Sequence, residues 1–125
     1  MSHTVLVADD SDLIRKSIRR VLDAEPSIQI VGEAESFASA IALARDLQPD
    51  VLLLDLHMPD DQNFDPAYIK AHLPDSGSKT QVIGISLSGD EDAQTSALGQ
   101  SLGAIRVLDK ANFYDELIPA ILKRK

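Results

Sequence analysis

Short apolar runs, each followed by a stretch with the period of an α-helix, recur along the whole chain, and this alternation leaves few folds open. TVLVA at 4–8 reads as a strand. Ile14, Ile18, Val21 and Leu22 then fall at i, i+4, i+7 and i+8, one face of a helix that must stop before Pro26. IQIVGEA at 28–34 is a second strand, and Phe37, Ala40, Ile41, Ala44 and Leu47 make the face of a second helix with Ser36 as its N-cap. VLLLD at 51–55 is apolar without alternation, as a strand covered on both faces should be. A shorter helix over about 66–73, the DSGS turn, a strand QVIGIS at 81–86, a weakly amphipathic helix over 90–102 and a last strand at 104–108 follow. Asn112 is then expected to cap a helix with Tyr114, Leu117, Ile118, Ile121 and Leu122 on its face. About five βα units enforce a parallel sheet with right-handed crossovers, hence a three-layer α/β sandwich.

The length of 125 residues is that of one domain, 1–125, and no repeat, low-complexity stretch or linker suggests an internal boundary. Without cysteine, thiolate metal sites, disulfides and thiol catalysis are excluded, and the usage fits a reducing compartment. No apolar run approaches the roughly 20 residues that cross a bilayer, and the N-terminus does not read as a signal peptide, so a cytoplasmic chain without membrane contact is expected. The net charge of −8 argues against direct nucleic-acid binding, because there is no excess of cations to release counterions from phosphates.

Within this frame the carboxylates stand out. In sheets of this kind ligands sit beyond the carboxyl ends of the strands. Asp9 and Asp10 close the first strand, Asp55 the third and Ser86 the fourth, while Lys110 follows the fifth. Asp55 is therefore expected at an exposed strand end rather than in the middle of an apolar run. Three converging carboxylates raise one another's pKa unless a cation joins them. A hard divalent ion such as Mg²⁺ meets that need and accepts phosphate oxygens, which Lys110 would also attract.

Over its whole length the chain resembles the receiver domains of two-component response regulators, through ADD at 8–10, DLHMPD at 55–60, ISLS at 85–88 and LDK at 108–110. The wording VGEAESFASAIALARDLQPDVLLLDLHMP is most similar to the LuxR-type branch, in which a receiver precedes a helix-turn-helix domain. The resemblance implies a flavodoxin-like doubly wound sheet in strand order 2-1-3-4-5 with helices on both faces. It further implies that Asp55 accepts a phosphoryl group from a sensor histidine kinase, with Ser86 and Lys110 contacting the phosphoryl oxygens. Asp9, Asp10, Asp55 and the backbone carbonyl of His57 would hold Mg²⁺. An output domain, C-terminal or separate, and a weak homodimer are the other partners implied; because the sequence ends at Lys125, any DNA-binding domain is expected outside it. No enzyme activity is expected beyond the receiver's own phosphotransfer and slow autodephosphorylation.

Departures from the family pattern accompany the matches. Val107 stands where an aromatic is common, so no aromatic rotamer switch is available, and Ala111 replaces a frequent proline. Leu87 and His57 are expected to crowd the mouth of the site, with the His57 side chain facing water. Pro119 falls inside the last helix and is expected to bend it near Asp115. Arg15, Arg19 and Arg20 read as a solvated helix face; His3 and His72 carry no signal. A phosphorylation-independent interaction module on the same fold is the alternative, favoured by Leu87 and Val107 and opposed by the full set of Asp9, Asp10, Asp55, Ser86 and Lys110. A flavin or nucleotide binder lacks its Gly-rich loop here, and Asp55-Leu56-His57 lacks the second aspartate of an aspartyl phosphatase.

Overall fold

A computed structural model describes residues 3–58, 60, 66–72, 80–86, 97, 99–102, 104–110 and 114–122. Strands β1 (His3–Ala8), β2 (Ile28–Ala34), β3 (Val51–Asp55), β4 (Gln81–Ser86) and β5 (Ala104–Asp109) form one parallel sheet in the order β2-β1-β3-β4-β5. Helices α1 (Asp12–Asp23), α2 (Phe37–Leu47) and α3 (Pro66–His72) and a last helix (Tyr114–Leu122) pack on it. The expected three-layer sandwich and strand order are observed.

The lack of alternation in the strands has a direct cause. Leu6, Ala8, Leu52 and Leu54 join a core with Phe37, Ala40 and Ala44 of α2 and Ile69 of α3. Their neighbours Val5, Val7, Val51 and Leu53 join the opposite core, with Ile18 and Leu22 of α1 and Leu117, Ala120 and Ile121 of the last helix. Successive side chains point to opposite faces of a strand, so a strand roofed on both sides is apolar at every position. Leu122 is exposed, and Ala120 takes its expected place on the buried face of the last helix. Pro119 lies inside that helix on an exposed position, removing the hydrogen bond that its amide would donate to the Asp115 carbonyl.

Local signals set the helix starts. The Ser11 hydroxyl accepts from the Ile14 amide at 3.2 Å, and Ser36 and Ser39 form a reciprocal capping box at the head of α2. Two further amides of that first turn, Phe37 and Ala38, donate to the carboxylate of Asp60 at 2.9 and 3.1 Å. The loop after β3 is thus fastened to α2 by an anion at a helix N-terminus. At the opposite edge of the sheet, the Asp50 carboxylate accepts from the amide and hydroxyl of Thr4, and the Thr80 hydroxyl donates to the Pro49 carbonyl.

Close packing reaches an extreme beside β5. Gly99, buried in the helical residues leading to that strand, leaves room for Val107: a Cβ on Gly99 would lie 2.5 Å from Val107 Cγ2. Val107 is committed to this contact and to Gly84 of β4, so the position carries core packing. Leu87, Pro59, Ala111, Asn112, the DSGS turn at 75–78 and the start of the helix expected from Asp90 lie outside the described residues.

Candidate functional site

The carboxyl ends of β1, β3, β4 and β5 bring five of the expected residues together. Asp9 follows β1, Asp55 is the last residue of β3, Ser86 the last of β4, and Lys110 follows β5. Carboxylate oxygens of Asp9, Asp10 and Asp55 all lie within 4.8 Å of one another. The Lys110 ammonium sits 2.8 Å from Asp9 Oδ2 and 3.1 Å from Asp55 Oδ2. Its position is set through the backbone, where the Lys110 amide donates to the Ser86 carbonyl at 2.7 Å. This bond prolongs the β4–β5 ladder by one residue, bringing Lys110 and Ser86 to the same end of the sheet.

One expectation about Asp55 needs correction. It does end its strand, but it is 1% exposed and Asp9 is fully buried; only Asp10 reaches solvent. Leu56 and Met58, both buried, carry the hydrophobic core on past the end of β3, so the chain beyond Asp55 does not turn at once to solvent. Burial, the largest cause, and the Asp9 charge together push the Asp55 carboxyl up to about 7, against the His57 amide, which donates to its Oδ1 at 3.0 Å, and against the Lys110 ammonium. Burial would lower the Lys110 ammonium, yet its pairing with Asp9 and Asp55 raises it above the usual lysine range. The lysine is held charged between two carboxylates.

His57 is exposed as expected, and its amide, not its ring, faces Asp55. Arg15 overturns the reading of a solvated face, whereas Arg19 stays half-exposed. Arg15 is 7% exposed. It ion-pairs with Asp12, Glu33 and Glu35 at 3.1 to 3.3 Å, while Arg19 pairs with Glu33 at 3.0 Å. The end of β2 supplies Glu33, and the residue after it Glu35, across the α1 surface, an encounter that helical periodicity within α1 does not register. Arg20 alone of the three stays exposed. Asp60, the anchor of α2, was not singled out in the sequence either; its only signal is an acid close behind Met58-Pro59.

Whether a cation fits is decided by the donors present. Among the described residues, the buried Asp9 Oδ2 and Asp55 Oδ2 receive no well-directed hydrogen bond, only the shared Lys110 ion pair. Three carboxylates facing one ammonium leave an excess of negative charge, and all their ligand atoms are hard oxygens. That donor set suits Mg²⁺.

Residues 5–122 match the family model described as the response regulator receiver domain, and the chain belongs to that family. It is 41% identical over 107 residues, 85% of its length, to protein-glutamate methylesterase/protein-glutamine glutaminase 2 of Anaeromyxobacter dehalogenans, of which the match covers 29%. Among solved structures, the signal receiver domain of the putative response regulator NarL from Mycobacterium tuberculosis superposes with a TM-score of 0.80 at 35% identity, covering 97% of this chain and 94% of that one. The response regulator domain of Thermotoga maritima CheB also gives 0.80, at 25% identity and 98% and 96% coverage. Solved neighbours described as LuxR-family regulators, at 21% and 16% identity, share the fold. The expectation of no enzyme is corrected by the curated relatives, which are named as a methylesterase and glutaminase; the chain spans about 29% of their length, and the matched stretch is the receiver. No helix among the described residues is long and apolar enough to cross a membrane.

Proposed function

We propose that Asp55 accepts a phosphoryl group from the phosphohistidine of a sensor kinase and that the resulting acyl phosphate switches a surface read by an output partner. The observation that carries this reading is the meeting of Asp9, Asp10 and Asp55 oxygens within 4.8 Å, with the Lys110 ammonium 3.1 Å from Asp55. An Asp55 oxygen attacks phosphorus, the P–N bond breaks, and the imidazole leaves with its electron pair. Lys110 turns from its carboxylates to a phosphoryl oxygen, and the Ser86 hydroxyl donates to another. Asp9, Asp10, Asp55 and the His57 main-chain carbonyl are the groups that would hold Mg²⁺. When bound, that ion supplies the positive charge that lets phosphate oxygens approach a cluster of carboxylates.

A receiver spanning 1–125 as one unit, a cytoplasmic setting, an output domain on the same or a separate chain, and only weak self-association belong to the same reading. The methylesterase and NarL relatives support the receiver as their common part. The test uses acetyl phosphate as donor with Mg²⁺ and a phosphate-affinity gel. The wild-type band is retarded, and Asp55→Asn, nearly isosteric but unable to form an acyl phosphate, leaves the band unmoved. Equal retardation of the variant would show that the nucleophile is another group.

A further inference from the structure

The buried guanidinium of Arg15 bridges two places that the sequence keeps apart. Its Nη1 donates to the main-chain carbonyl of Asp9 at 2.6 Å, while Nε and Nη2 reach Glu33, Asp12 and Glu35 at 3.1 to 3.3 Å. The carbonyl it holds belongs to the peptide joining Asp9 to Asp10. That peptide is planar, so fixing its oxygen also fixes the direction in which the Asp10 backbone leaves the pocket. Every polar atom of Asp9 is accounted for: its amide donates to the Ala34 carbonyl at 3.0 Å, its carbonyl takes Arg15, Oδ1 takes the Ser11 amide at 2.8 Å, and Oδ2 lies 2.8 Å from Lys110. The Asp10 side chain is exposed and has no such restraint among the described residues, so its placement comes from the peptide before it.

We infer that Arg15 is a positioning residue for the acidic pocket: by clamping the Asp9–Asp10 peptide against the acidic end of β2, it sets where the Asp10 carboxylate meets a divalent cation. This rests on the reading of the pocket as a Mg²⁺ site. Arg19 provides the contrast, because it shares Glu33 with Arg15 while the Asp9 carbonyl takes its hydrogen bond from Arg15. A guanidinium serves here where an ammonium would not, since its planar fork reaches a carbonyl and a carboxylate at once.

Mg²⁺ alone is titrated into isotopically labelled wild type, Arg15→Met, Arg15→Lys and Arg19→Met, with the backbone amide resonances of the β1–α1 turn as the readout. Loss of an outer partner of a metal ligand typically weakens metal binding by about 10-fold or more, the loss expected of Arg15→Met, whereas Arg19→Met stays within about twofold of wild type. Arg15→Lys falls between them. Wild-type affinity in Arg15→Met, or an equal loss in Arg19→Met, overturns the inference while leaving the pocket's Mg²⁺ reading intact. Absence of binding in the wild type removes both. If Arg15→Met does not fold, Arg15→Lys decides: weaker binding supports the positioning role and wild-type binding overturns it.

Discussion

At Asp55 a carboxyl is buried deeply enough to be pushed from an ordinary 3.8 up to about 7, and the consequence is measurable in the metal-free protein. A group whose folded pKa is raised contributes stability that is fully present below its unfolded pKa and disappears as pH rises through the folded value. Between about pH 4 and 7 the Asp55 contribution therefore falls, by at most about 1.4 kcal/mol for each pH unit. Asp55→Asn removes this dependence. Urea denaturation without metal is expected to show the variant gaining on wild type from pH 5 to pH 8; an equal stability difference at both pH values would contradict the buried, strained carboxylate. The residue's oddity was legible, because an aspartate closing VLLLD asks for a partner. Arg15 was not legible. On a helix that also carries Lys16, Arg19 and Arg20 it looks like one more solvated cation, and only the path of β2, which brings Glu33 and Glu35 alongside, makes it a buried one.

Among the elements, α2 separates what neighbouring residues reveal from what they conceal. Its start at Ser36 could be read directly, since the cap and the amides it serves are within three residues of each other. The second anion at that turn comes from Asp60, 22 and 23 residues away, and no local pattern announces it. Because a charged acceptor at the first turn of a helix contributes both a hydrogen bond and a favourable dipole interaction, Asp60→Ala is expected to destabilise the fold by about 1 kcal/mol. Chemical denaturation checks this, and hydrogen exchange should show the loss concentrated at the Phe37 and Ala38 amides. Unchanged protection of those two amides would mean that the anchor contributes nothing. Strand limits were legible to within a residue, and the last helix misled at Leu122 because Ala120, too small to register as a face-forming residue, does the packing.

Across the molecule, the parallel sheet follows from the recurrence of βα units, and the place of the pocket follows from the sheet: strand ends that are far apart in sequence share one edge. The convergence of Asp9, Asp10, Asp55, Ser86 and Lys110 was legible for this reason, whereas the burial of Asp9 and Asp55 was not, since it depends on packing between elements that no local pattern displays. A folded protein that binds Mg²⁺ only through this assembled edge must be stabilised by the ion. At about 100 times its dissociation constant, Mg²⁺ is expected to add about 2.7 kcal/mol at pH 8, where Asp55 is ionised, and to add much less at the same concentration in Asp10→Ala. Equal stabilisation of both proteins would place the ion elsewhere.

The central claim concerns which atom carries the phosphoryl group, and chemical trapping addresses it without substituting any residue. After treatment with acetyl phosphate and Mg²⁺, borohydride reduces an aspartyl phosphate to homoserine, and peptide mapping by mass spectrometry locates the converted residue. Homoserine at position 55 alone is the expected result; homoserine at position 9 or 10, or phosphorylated protein with no conversion at 55, would contradict it.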